Sequence, residues 1–160
     1  MQVQDWFRNL GDRLYLGASS APGQHQAGAI PYTLVNGQPV FLIITSRRTG
    51  RWIFPKGQEI DGRTPWEVAA YEAMEEAGVE GEIETTPIGS YRTVKMVGIR
   101  RTPIRVDMYP LPVTRQLDDW PEKGKRHRHW VILPEAKRLL SDPRLAELAA
   151  RLSRRLAPNA

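Results

Sequence analysis

The stretch from residue 64 to residue 78, TPWEVAAYEAMEEAG, constrains the fold more tightly than any other part of the chain. Thr64 is a favoured N-cap, Pro65 suits the first helical position, and Glu67 stands three residues after Thr64 to complete a capping box. Gly78 suits the left-handed residue that stops a helix, so the spacing predicts a helix ending near Ala77. Val68, Ala69, Ala73 and Ala77 give this helix a face of small residues that can pack close to a sheet. Glu72, Glu75 and Glu76 lie on another side, as first, fourth and fifth positions that are neighbours on a helix surface and repel one another. A helix built only for solubility would interleave lysines, so a metal ion is the first candidate for the missing cation.

Strand-like segments surround the helix. AGAIPYTLV (27–35) and PVFLIITS (39–46) flank Asn36-Gly37, a favoured hairpin turn, and RWIFP (51–55) is a third short apolar piece. Residues 57–63 have no periodicity and read as a loop. Farther on, IGSYRTVKM (88–96) and TPIRVDMYPLPV (102–113) are expected to pair across VGIRR, and RHRHWVIL (126–133) is a later strand. PEAKRLL (134–140) reads as a short helix. Asp142-Pro143 then opens a last helix with Leu145, Leu148, Ala149, Leu152 and Leu156 on one stripe, more fitting as core or dimer contact than as a membrane anchor. Strands before, between and after one central helix predict an α/β fold, a sandwich with a mixed sheet. The expected organisation is an N-terminal extension over 1–26, its end a small, polar linker (18–26), a domain over 27–142, and a C-terminal helix over 143–160 packed on or extending that domain.

The chain has 160 residues, about one domain's worth, and no cysteine, which excludes disulfides, thiolate metal sites and a cysteine nucleophile. No basic region precedes a long apolar run at the N-terminus, and the longest apolar run, Val40–Ile44, is too short to cross a bilayer. The expectation is a cytoplasmic protein with no membrane partner. A net charge of +5 favours anionic partners.

The stretch from Gly57 to Val79 resembles the Nudix box, G-x5-E-x7-R-E-U-x-E-E-x-G-U with U aliphatic. Gly57, Glu72, Glu75, Glu76, Gly78 and Val79 match it. Arg63 stands in place of its first glutamate and Tyr71 in place of its arginine; an arginine at 63 can lie against the Tyr71 ring, and the loop acids Glu59 and Asp61 can partly replace the missing glutamate. The resemblance implies a Nudix-type α/β/α sandwich with the box as loop–helix–loop. It also implies a Mg²⁺ site, Mn²⁺ being the alternative, made by Glu72, Glu75, Glu76 and the backbone carbonyl of Lys56. A hard divalent cation suits such oxygen ligands, neutralises a pyrophosphate and lowers the pKa of water. Which glutamate acts as base stays open. The flanks LIITSRRTGRWIFPKG (42–57) and DDWPEKGKRHRHWVILPEAKRLL (118–140) resemble the diphosphoinositol polyphosphate phosphohydrolase branch and its small bacterial relatives.

Basic clusters suit an anionic phosphorylated substrate, because the guanidinium fork binds two oxygens at once. Arg47, Arg48 and Arg51 precede the box; Arg100, Arg101 and Arg105 lie in or beside the middle strands; Lys125, Arg126 and Arg128 precede Trp130. The substrate-binding candidates are Arg47, Arg48, Arg51, Lys56, Gly57, Arg101, Arg126 and Arg128. His127 and His129 read as phosphate contacts, acid/base groups or ordinary edge-strand residues. Trp52, Trp66, Trp120 and Trp130 read as core, with base stacking as the alternative. The leading expectation is a Mg²⁺-dependent hydrolase of diphosphate linkages in nucleoside polyphosphates, dinucleoside polyphosphates included, or diphosphoinositol polyphosphates, as monomer or homodimer. The rival is a Nudix-fold phosphate- or RNA-binding module with impaired catalysis.

Overall fold

The computed structural model describes residues 24–158. The sequence expectations for residues 1–23 lie outside the described residues. Eight strands form one mixed sheet: β1 (His25–Val35), β2 (Gln38–Thr45), β3 (Trp52–Ile53), β4 (Lys56–Gln58), β5 (Val79–Gly81), β6 (Gly89–Val97), β7 (Arg100–Gln116) and β8 (Arg128–Ile132). The helices are α1 (Pro65–Ala77), α2 (Leu133–Leu139) and α3 (Pro143–Leu156).

The sheet runs β3-β2-β1-β7-β5, with β4 on β1, β6 on β7 and β8 on β2. Among the described residues its one parallel strand pair is β1 with β7, His25 opposite Arg105 through Tyr32 opposite Pro112. Asn36 and Gly37 have φ of 51° and 77°, which makes the two-residue turn joining β1 to β2 the kind whose twist matches a hairpin.

Period-two alternation sends side chains to two cores. Ile30, Phe41, Ile43, Val106 and Met108 face α2 and α3, where Leu145, Leu148, Ala149 and Leu152 of the expected stripe are buried and Leu156 packs at the margin. Ala27, Ala29, Leu42, Ile44 and Leu111 face α1, which answers with Val68, Ala69, Ala73 and Ala77. Alanine on both sides lets α1 lie close over β1, and this fixes the height of its glutamates above the sheet. The result is the expected α/β/α sandwich.

Several boundaries differ from the sequence reading: β7 takes in Arg100 and Arg101 of the expected turn and runs on to Gln116, β8 starts at Arg128 rather than Arg126, and β5 is not among the expected strands. β1 begins at His25, two residues before the expected start, because the polar pair His25-Gln26 is drawn into parallel pairing with Arg105 and Val106. Gly57 and Gln58, expected in a loop, belong to β4 and pair with Ala27 and Gln26. Three residues are too few to show a period.

Candidate active site

Helix α1 is capped as its sequence requires. Thr64 Oγ1 accepts from the Glu67 N–H at 3.3 Å, and the Thr64 N–H donates to Glu67 Oε2 at 3.1 Å. Gly78 adopts φ 65° and its N–H returns to the last turn. Here the glycine also makes room: a Cβ would strike the Trp120 ring and the Arg128 guanidinium.

Glu72, Glu75 and Glu76 share a cavity of about 400 Å³ with Glu59, Glu122 and Tyr71. Burial is the largest cause raising each helix glutamate above the ordinary carboxylate range. Glu72 is raised further by the negative charge of Glu76. Glu76 is only 8% exposed, and the positive charge of Arg126 pulls it partly back. Burial and then Glu122 act on Glu75.

Gly57 and Lys56 meet this cluster from the sheet side. The Glu72 carboxylate lies directly against Gly57, leaving no room for a side chain there. Lys56 Nζ donates to Gln26 Oε1 at 2.8 Å, and burial lowers its pKa.

Arg126 enters from the far side. Its guanidinium lies 3.3 Å from Glu76 and 3.2 Å from Glu122, and donates to the Thr45 carbonyl. Arg47 reaches Glu122 at 3.1 Å. Glu122 is thus the residue that sequence reasoning passed over. Its signal was there in the four-residue spacing to Arg126, inside a turn-rich segment that otherwise reads as charged loop. Tyr71, in place of the box arginine, donates to the Glu75 carboxylate and is pushed up to about 12, chiefly by burial. The substitution therefore keeps a positioning contact to the acid cluster.

Other candidates lie elsewhere. The Arg128 guanidinium donates to the carbonyls of Ala77, Gly78 and Leu117 and stacks on Trp120 at 3.8 Å, so it staples the end of α1. Arg48 and Arg51 are exposed in the turn before β3, and Arg101 is exposed on β7. Asp61 lines a neighbouring cavity with Arg63 and His25. His127 is exposed, and His129 faces Glu135 at 3.6 Å and Trp52. The four tryptophans singled out are all partly buried.

The donor set suits a hard divalent cation. Glu76 Oε2 is buried without a hydrogen-bond partner, an arrangement that costs stability unless a cation completes it. Among the described residues no three acids are placed close enough together to hold a metal ion, and Arg126 takes one side of Glu76.

The family model described as the NUDIX domain matches residues 24–152. The chain belongs to the Nudix family. Nudix hydrolase 12 of Arabidopsis thaliana, named as mitochondrial, is 31% identical over 136 residues, covering 71% of this chain and 64% of its own length. Diphosphoinositol polyphosphate phosphohydrolase 2 of Rattus norvegicus is 31% identical over 126 residues, covering 74% of this chain and 65% of its own length. The chain thus spans just under two thirds of either relative. The crystal structure of a C. elegans Ap4A hydrolase has the same Nudix fold, with a TM-score of 0.61 at 20% identity, covering 84% of this chain and 99% of that one.

Proposed function

We propose that this chain is a divalent-metal-dependent hydrolase of diphosphate linkages, acting on nucleoside polyphosphates or diphosphoinositol polyphosphates. The observation that carries the reading is the buried Glu76 oxygen without a partner, inside a cavity lined by glutamates. Glu72, Glu75 and Glu76, with the Lys56 carbonyl, are the groups to hold the cation, Mg²⁺ before Mn²⁺. When bound there, the ion would supply charge neutralisation at the diphosphate and would make water more acidic.

The chain's own residues do the rest. Arg126, Lys56 and Arg47 bring positive charge to the cavity rim, where it stabilises charge gathering on phosphoryl oxygens. One cavity carboxylate takes a proton from the water that attacks phosphorus; the bridging P–O bond then breaks and the phosphate leaves. The names of the rat relative and the C. elegans neighbour support testing inositol and dinucleoside substrates side by side.

The test is a hydrolysis screen over diadenosine polyphosphates, nucleoside diphosphate derivatives, diphosphoinositol phosphates and 5′-triphosphorylated RNA, with and without Mg²⁺. Glu76→Gln should cut turnover by orders of magnitude in a folded protein. Unchanged Mg²⁺-dependent turnover in that variant would remove Glu76 from the site.

One observation favours a second reading, a phosphate- or RNA-binding module: Arg126 already pairs with both Glu76 and Glu122. That module would release no product with either metal and would bind RNA in a metal-independent, salt-sensitive way.

A further inference from the structure

β6 and β7 continue as a two-stranded arm past the end of β1. Among the described residues, β1 pairs with β7 from Arg105 onward, whereas β6 and β7 stay paired out to Val97 opposite Arg100. Ile104, opposite Thr93, is still buried in the core, so four residue pairs project past it, about 14 Å at the usual rise. Four large apolar side chains stand exposed on this arm: Val94, Met96, Val97 and, at the turn, Ile99, which is 97% exposed.

The charge of the arm is one-sided. Residues 92–105 contain five basic residues, Arg92, Lys95, Arg100, Arg101 and Arg105, and no acid. Residues directly opposite in an antiparallel pair share a face. Register therefore places Val94 and Met96 on one face with Pro103, bracketed by Arg92 and Arg105 at the base and by Arg101 toward the turn. Val97 and Ile99 form the tip.

We propose that this arm is a peripheral docking element for anionic lipid bilayers. A protruding aliphatic tip can enter the boundary between headgroups and acyl chains, while a basic collar meets the negative surface. The other candidate partners fit less well. Single-stranded RNA is held by aromatic stacking, and the arm's exposed apolar side chains are all aliphatic. Arg105 is paired with Asp107 at 3.1 Å, but a second copy meeting arm to arm would still set Arg92, Lys95, Arg100 and Arg101 against the same four cations. A soluble phosphorylated substrate has no use for Ile99 at the tip. Such a contact is with the bilayer surface and spans nothing.

The test is co-sedimentation of the full chain with vesicles of phosphatidylcholine alone and of phosphatidylcholine with phosphatidylserine. Binding is expected only with the anionic vesicles and should weaken as salt is raised. The double change Val97→Ser plus Ile99→Ser should lower partitioning at least tenfold with an unchanged melting temperature. No vesicle binding by the parent, or equal binding by the double variant, overturns the proposal. So does RNA-oligonucleotide binding or self-association that the double variant loses while vesicle binding persists.

Discussion

The Glu72 carboxylate lies so close to the backbone of Gly57 that a Cβ at position 57 would overlap it. Glycine here is set by the neighbouring acid, because the strand backbone and the box helix must approach closely for the acid to reach the cavity. Gly57→Ala should therefore push Glu72 aside. Overpacking of this kind costs about 1–3 kcal/mol. Turnover should fall at least tenfold while the protein stays folded, read by a metal-dependent assay alongside a thermal melt.

Glu72→Gln separates stability from activity. The carboxylate is buried beside Glu76, and its charge is opposed by burial first and by that neighbour second. Neutralising it should raise the metal-free melting temperature; a gain of about 1 kcal/mol corresponds to ~2–4 °C in a domain of this size. Turnover should collapse in the same variant. A lower melting temperature without metal would contradict this account of Glu72.

Arg126→Gln tests the built-in counter-ion. Removing one partner of a buried ion pair costs on the order of 3–5 kcal/mol, since the remaining charges are left uncompensated. The metal-free variant should melt well below the parent. Added Mg²⁺ should raise its melting temperature by more than it raises the parent's, because a ligand that binds only the folded state stabilises it. Melts with and without Mg²⁺ check this.

The entry to α3 carries a pH dependence. Asp142 accepts from the Arg144 N–H at 2.9 Å and pairs with its guanidinium at 2.7 Å, which holds the carboxyl below its ordinary value of 3.8. A depressed carboxylate contributes stability above its unfolded pKa and loses it as pH falls through the folded value. The helix-entry contribution should therefore be complete at neutral pH, begin to fall near pH 4 and vanish only below the depressed folded value. Asp142→Ala should cost about 1 kcal/mol near neutrality, as loss of an N-cap does, and should flatten the acid limb of a melt-versus-pH series.

Much of this site is legible in the sequence because helices write their limits locally. Thr64, Pro65, Glu67 and Gly78 announce α1 within a few residues of chain, and the glutamate spacing then fixes a common side. The basic residues are different. Arg126 and Arg128 are two positions apart and chemically alike, yet one enters the acid cluster and the other holds three carbonyls at the end of α1. Only the pleat of β8 and the loop before it decide which is which. Glu122 was hidden for the same reason, since its partners Arg47 and Glu75 are distant in sequence. β4 escaped notice because its partner β1 lies about 30 residues away, and three residues carry no pattern.

The parallel seam between β1 and β7 also bears on how quickly the protein can assemble. It joins strands about 80 residues apart, so the centre of the sheet forms only after a long loop has closed, and topologies rich in such contacts fold slowly. The capped α1 helix and the two hairpins can form early from nearby residues, but β4 reaches its place only on β1. A newly made chain therefore carries its glutamates on a ready helix before it owns the sheet edge that gathers them into a cavity.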